Sequence, residues 1–417
     1  MDFSIPPYVI DLINKIAKDE KFENHSISTE SGSDIDGFQS LIFKITITGL
    51  RNNHEDKLCL ICKIPSLNIA RRKQFHSDIT FDCELFFYEN VFPYFETFQR
   101  ERGVHSDDGF FAFPKCYGLI RDEKSLGDHA IVMDNLNEKC YYMLDKANDI
   151  DFDHSILVLK ELGKLHAVSF AIRDQEPEKF KQFMERTSLF HYEVNNSTGA
   201  KFLQKAHYDR AIRSLDPSEL DLIRKMESLK LTYVDLINQV KTTTTCEPFG
   251  VLIHGDCWIN NLLYRGSSKP SNVCLIDWQL SQFGSPAIDV ACFLFCSLSP
   301  QLRNEHFDQF MNIYYGTLES TLRKLGSDPT KLFTFDNLRD QMRQFSKYVM
   351  YLAPIMIGIM TSDMTKVPSF DEVTRRMDLL TNDPTADVTL DDAFEENDAY
   401  KHRMSNLIRD MDRLGYW

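Results

Sequence analysis

One short stretch limits the fold of this chain more than any other. From Phe249 to Gln279 the sequence FGVLIHGDCWINNLLYRGSSKPSNVCLIDWQ falls into three apolar runs, VLIH, NLLY and VCLID, with a Gly/Ser/Pro turn between the last two. Runs of that length bounded by turn residues read as strands. The surroundings read as helix. Leu159, Leu162, Leu165 and Val168 recur at helical spacing upstream, and helical patterns resume at Ile288. The chain must therefore set a small β island inside a helical region.

The polar residues of the island are few and spaced in a way that suggests chemistry. His254-Gly255-Asp256 is followed after four residues by Asn261, and Asp277 closes the VCLID run before Trp278. Phosphoryl transfer from ATP needs a carboxylate to orient an acceptor hydroxyl or take its proton, and oxygen ligands to hold Mg²⁺ on the phosphates. An Asp, four residues, an Asn and a later Asp on a strand end meet that need. Asp256 is thus the candidate base, and Asn261 and Asp277 are the candidate metal ligands. Each piece alone has a plain structural reading. An isolated D-x-x-x-x-N carries nothing, Asp277 could cap a strand, and a lone His254 is usually a satisfied core histidine. The conjunction in one strand–turn–strand context carries the reading.

The first third is β-rich. Leu41, Phe43, Ile45 and Ile47 alternate with more polar neighbours, a half-buried strand, and LCLICKIP is a second strand after the polar turn RNNHED. The segment STESGSDIDGFQS before them reads as turn-rich. Asp78–Phe95 reads as a helix and AIVMDNL as a short strand running into an acidic turn. An N-terminal helix carries Leu12, Ile13, Ile16 and Ala17 on one side. The run Tyr348–Met360 is interrupted by Pro354 and falls short of the ~18 residues of a membrane helix, so it reads as a buried core helix. TNDPTADVTLDDAFEEND, acidic and poor in apolar residues, reads as a surface loop or extended arm. The expectation is an α+β, bilobal, protein-kinase-like fold: a small N-lobe over 1–133 and a larger helical lobe over 134–417.

The net charge of -15 in 417 residues argues against a nucleic-acid partner, while a nucleotide site needs only a few local cations. The N-terminus lacks a basic n-region and an apolar h-region, which predicts a cytoplasmic protein with reduced thiols. Cys59 and Cys62 form a C-x-x-C in a strand, where they point to opposite faces, and no second pair joins them at zinc spacing. Oligomeric state is left open.

HGDCWINNLLY and IDWQLSQFGSPAIDVACFLF resemble the ecdysteroid kinase-like (CHK kinase-like) family, related to the choline and aminoglycoside kinases. The likeness runs from about Ile27 to the C-terminal helices. Cys257 stands where Leu is frequent and Trp278 where Phe is common; both keep an apolar group beside the site. The resemblance implies further roles. Lys63 matches the lysine on the α/β-phosphates, and Glu84 the helix glutamate that pairs with it. SGSDIDGFQS, with Gly32 and Gly37, matches the phosphate-covering loop. Met133-Asp134-Asn135-Leu136 matches the hinge that binds adenine through its backbone, which enters Asp134 and Leu136. Asp289 matches the aspartate bracing the HGD turn, and His166 a packing and hydrogen-bonding position. It implies ATP and Mg²⁺ as cofactors and a small-molecule alcohol as acceptor, an ecdysteroid first and a choline- or aminoglycoside-like molecule second. A ligand-binding pseudokinase is the reading from another class.

Overall fold

The computed structural model describes residues 5–31, 40–121, 128–146, 148–188, 197–241, 243–267 and 269–417. The phosphate-loop candidates Gly32 and Gly37 lie outside the described residues.

The first part holds α1 (Pro7–Asp19), β1 (Glu23–Ser31), β2 (Ser40–Arg51), β3 (His54–Pro65), α2 (Ile69–Gln74), α3 (Ser77–Phe86), α4 (Phe92–Glu101), β4 (Cys116–Ile120) and β5 (Ala130–Asp134). The strands form one antiparallel sheet in the order β1-β2-β3-β5-β4. The alternation of β2 buries Leu41, Phe43, Ile45 and Ile47 against the apolar side of α1, where Leu12, Ile13, Ile16 and Ala17 are buried too. Asn52 and Asn53, at φ 55° and 62°, make the two-residue turn that pairs Arg51 with His54. Asn tolerates that left-handed backbone, which is why RNNHED narrows to so tight a hairpin.

Two expectations need correction here. Residues Ser28 to Ser31 belong to β1 rather than to a turn, paired with β2 from Thr46 to Phe43. The strand ENHSISTES has a single apolar residue, Ile27, so its pattern carries no alternation; the ladder to β2 supplies the stabilisation instead. The helix read as Asp78–Phe95 runs from Ser77 to Glu101 with a π turn, Phe87–Val91, inside it. Pro93 has no N–H and its ring would collide with the carbonyl four residues back. The π turn, closed by Phe92 N–H on Phe87 O, absorbs that conflict without ending the helix.

The remainder holds β6 (Tyr141–Met143), α5 (Phe152–Gln175), α6 (Pro177–Ser188), α7 (Thr198–Arg213), α8 (Leu220–Lys241), α9 (Thr243–Cys246), β7 (Val251–Ile253), β8 (Leu262–Arg265), β9 (Asn272–Leu275), β10 (Gln282–Gly284) and α10 (Pro286–Cys292). It continues with α11 (Pro300–Lys324), α12 (Pro329–Leu332), α13 (Phe335–Phe345), α14 (Val349–Thr361), α15 (Phe370–Asn382) and α16 (Asp398–Leu414). The β island forms two small antiparallel sheets, β10-β7 and β6-β8-β9. The fold is the expected α+β arrangement. No helix among the described residues is long and apolar enough to cross a membrane, and none of the ten cysteines is in a disulfide.

The large core joins the two parts, because α3 and α4 bury their apolar sides against the helical part. Trp278 marks the junction. It is fully buried, with Phe87 at 5.8 Å and Phe92 at 4.8 Å between ring centroids, and its indole N–H donates to Leu275 O at 3.1 Å. Burying a large apolar side chain contributes roughly 1.5–3 kcal/mol, so this cluster firmly seats the π turn and the start of α4 on the loop after β9. The acidic stretch before α16 is not a free arm. Leu390, Ala393 and Phe394 are buried in a satellite cluster with Val373, Met377 and Leu380 of α15. Its few apolar residues suffice because neighbouring helices leave a surface for them.

Candidate active site

The HGD turn forms where the chain leaves β7. The backbone N–H of His254 donates to Asp289 Oδ2 at 2.7 Å, and that of Gly255 to Asp289 Oδ1 at 2.8 Å. Asp289 is fully buried in the first turn of α10, where an acid suits the positive end of the helix. Gly255 has φ +80°, and a Cβ there would stand 2.1 Å from the Leu280 carbonyl oxygen, so only glycine fits. The His254 ring lies beneath the turn. Nε2 donates to Ile276 O at 3.1 Å and Nδ1 accepts the N–H of Asp256 at 3.3 Å, partners that put the ring hydrogen on Nε2. Burial lowers the His254 pKa below its ordinary value, favouring the neutral ring. His254 is thus a satisfied core histidine that shapes the turn.

Asp256 is partly exposed. Its Oδ2 accepts from Asn261 Nδ2 at 2.8 Å, and the same amide nitrogen reaches the Asp256 carbonyl at 2.9 Å. Crowding by protein, and then the Asp277 carboxylate, push the Asp256 pKa up to about 7. The hairpin of β8 and β9 brings Asn261 and Asp277 together at its base, where Ile276 N–H donates to Asn261 O at 3.0 Å.

Lys63, near the end of β3, crosses from the sheet to this hairpin. Its Nζ lies 2.6 Å from Glu84 Oε2 and 2.7 Å from Asp277 Oδ1. Glu84 Oε1 accepts the backbone N–H of Trp278 at 3.3 Å. Burial by itself would lower the Lys63 pKa, but the charges of Asp277 and Glu84 outweigh it and hold it above its usual value. Burial likewise works against ionised Asp277, and there the Lys63 ammonium wins and keeps its pKa low. Glu84 is almost entirely buried, and burial leaves its pKa raised despite Lys63. Asp277 itself sits at φ 65°, ψ 70°, a left-handed conformation that costs a non-glycine residue about 1–3 kcal/mol.

The donor set fits a hard divalent cation. Asn261 directs its nitrogen to Asp256, which leaves its carbonyl oxygen as the other amide group. Asp277 commits Oδ1 to Lys63 and to Gln279 Nε2, while Oδ2 makes no hydrogen bond among the described residues. Carboxylate and amide oxygens suit Mg²⁺. Asp134 and Leu136 lie apart from this group, at the end of β5 and the start of a 3-10 turn. The Asp134 carboxylate accepts from Tyr117 O–H at 3.1 Å and Lys139 Nζ at 2.6 Å, and the Asp134 backbone N–H donates to Lys115 O at 2.9 Å.

Two features escape the sequence. Gln279 stands in the run D-x-Q, yet nothing in its position announces a bond to Asp277. The tie from Glu84 to Trp278 N–H spans 194 positions and leaves no local trace.

Site and fold together define a kinase-like α+β protein built around an HGD turn and the β8–β9 hairpin that carries Asn261 and Asp277. The chain belongs to the ecdysteroid kinase-like family, whose model matches residues 34–327. The match takes in every candidate from Lys63 to Asp289 and ends just after α11. Among solved structures, an ethanolamine kinase of Plasmodium vivax aligns over 96% of this chain and 84% of its own, at 11% identity and a TM-score of 0.38. A microcompartment-associated aminopropanol kinase aligns over 98% and 99%, at 10% identity and a TM-score of 0.34. Likenesses this distant do not bear on residue roles. No curated protein matches the sequence.

Proposed function

We propose that this protein transfers the γ-phosphoryl group of ATP to a hydroxyl of a small, hydrophobic acceptor, with an ecdysteroid-like alcohol as the first candidate. The observation that carries the reading is the convergence of Lys63, Asp277, Asn261 and Asp256 from two separate stretches of the chain, linked at 2.7 Å and 2.8 Å. In this reading the part up to Met133 holds the nucleotide, with Lys63 on its phosphates and the backbone at Asp134 and Leu136 on the base. The helical part binds the acceptor. The acceptor oxygen bonds to the γ-phosphorus, the bond to the ADP oxygen breaks, and the hydroxyl proton passes to Asp256. Mg²⁺ held by Asn261 and Asp277 would supply positive charge to the phosphates. Asp289, His254 and Gly255 keep Asp256 in place.

The family description favours a steroid alcohol over a choline-like cation. The intact set of Lys63, Asp256, Asn261 and Asp277 favours chemistry over a ligand-binding pseudokinase. The test is a screen of hydroxylated small molecules with Mg²⁺ and ATP, scored by mass gain of one phosphoryl group. Phosphorylation of an ecdysteroid-like alcohol supports the reading. Binding of ATP with no acceptor modified across steroid, choline-like and aminoglycoside panels would reject it.

A further inference from the structure

α15, which lies beyond the residues that the family model matches, reaches from the helical part to α2. At the start of this seam Asn68 Nδ2 donates to Asp371 Oδ1 at 3.1 Å. The Arg71 guanidinium stands 3.8 Å from the same oxygen and 5.8 Å from the centre of the Phe370 ring. At its end Gln74 Nε2 meets Met377 Sδ at 3.8 Å. From Asn68 to Gln74, and from Asp371 to Met377, each chain climbs about 9 Å at 1.5 Å per residue, so the two helices run side by side in the same direction.

The two sides of α15 differ in strength. Val373, Met377 and Leu380 are buried with Ala206 of α7. A Cβ on Gly199 would collide with the Met377 carbonyl, and the Gly199 N–H donates to Thr381 Oγ1 at 2.9 Å, so α7 lies directly on α15. The α2 side is polar, and the Asp371 side chain is 60% exposed. Exposed ion pairs are weak and screened by salt. When the seam gives, α15 therefore stays with the helical part and separates from α2.

Movement of α2 reaches the site. α2 follows β3 directly, and its N-cap Asn68 stands five residues after Lys63. Asn68 uses its other amide atom, Oδ1, to accept the Arg71 N–H at 3.1 Å, so one side chain both caps α2 and holds Asp371. Arg72 Nε donates to Asp78 of α3 at 2.8 Å, which anchors the later part of α2, while the end nearest Lys63 is held across the seam by Asp371.

We propose that α15 is a strap across the phosphate end of the nucleotide cleft, with Asp371 as its catch on Asn68 and Arg71. Latched, it holds the end of β3, and with it Lys63, over the phosphates; its release from α2 opens the cleft for nucleotide exchange. The gating of nucleotide rests on the proposed function; the latch on α2 does not.

The experiment uses the full-length protein, a fluorescent ATP analogue with Mg²⁺, and amide hydrogen exchange. Asn68→Cys with Asp371→Cys, once oxidised, joins the strap to α2. Release of the analogue should then slow by about tenfold or more and recover on reduction, with oxidised wild type as the control for the native cysteines. Asp371→Arg sets a like charge against Arg71. Release should quicken by about tenfold, and the Arg72 and Phe75 amides, bonded to Asn68 O and Arg71 O, should exchange faster by a similar factor. Asp371→Asn, which keeps an acceptor for Asn68, should fall between this variant and wild type. Asp371→Arg keeps the test open where the cysteine pair does not oxidise. Release at the wild-type rate from the cross-linked protein, or wild-type release and exchange in Asp371→Arg, would overturn the proposal. A wild type that binds no ATP analogue would instead defeat the proposed function, and exchange in α2 of Asp371→Arg would still decide the latch.

Discussion

Glu84 holds Lys63 with one carboxylate oxygen at 2.6 Å and the backbone N–H of Trp278 with the other at 3.3 Å. One side chain of α3 thus ties β3 to the loop that carries Asp277. Removing either tie leaves a buried acid with half its partners, and the consequences can be measured.

Lys63→Met leaves Glu84 and Asp277 facing each other without their shared cation. Breaking a buried pair from one side costs about 3–5 kcal/mol. ATP binding should weaken at least as sharply, since the charge proposed to meet the phosphates is gone. Lys63→Met combined with Glu84→Gln should regain much of the stability, because the orphaned acid is then neutral, and regain none of the ATP binding. Chemical denaturation beside ATP titration checks both. A double variant no more stable than the single would mean that Glu84 is not the source of the loss.

Asp256→Asn should lower turnover by about 10²–10⁴-fold, the range of a general base, with ATP binding little changed. The same change should stabilise the metal-free protein. The Asp256 pKa is raised to about 7. As pH climbs from the ordinary carboxylate range towards 7, the unfolded chain releases this proton first and the folded state is penalised. Asn carries no such penalty, so the variant should melt higher than wild type at neutral pH without metal. Equal melting at pH 4 and at pH 7 relative to wild type would contradict the raised pKa.

Asn261→Ala and Asp277→Asn should each weaken divalent-cation binding at least about tenfold, as loss of an oxygen ligand does. Mn²⁺ binding in the presence of ATP, followed by electron paramagnetic resonance, reads this without reference to turnover. Chelation of the metal should abolish transfer in the wild type. Unchanged Mn²⁺ affinity in both variants would remove these residues from the metal site.

Arg303 of α11 and Asp410 of α16 form a buried ion pair at 2.5 Å, far from the HGD turn in sequence. Asp410→Asn should destabilise by about 3–5 kcal/mol, while Arg303→Met with Asp410→Leu should cost much less, because no charge is then stranded. Denaturant midpoints of the two variants give the comparison, and a double variant as unstable as the single would refute it.

The candidate site residues were legible because their patterns are local. His254-Gly255-Asp256, Asn261 and Asp277 lie within one strand–turn–strand stretch, and the alternation of β2 and the helical spacing of α5 mark their buried faces directly. The π turn was not, because it answers Pro93, a local conflict that apolar periodicity does not mark. Polar β1 and the packing of Leu390 and Phe394 were not, because each is stabilised by a partner segment elsewhere in the chain. The same holds for the couplings that align the site. Glu84 reaches Trp278, and His166 reaches Tyr314 and Asp289, across more than a hundred positions. Periodicity specifies which face of an element is buried. Which side chain of which other element meets that face is decided only when the helices cross, and a hydrogen bond about 3 Å long depends on that crossing.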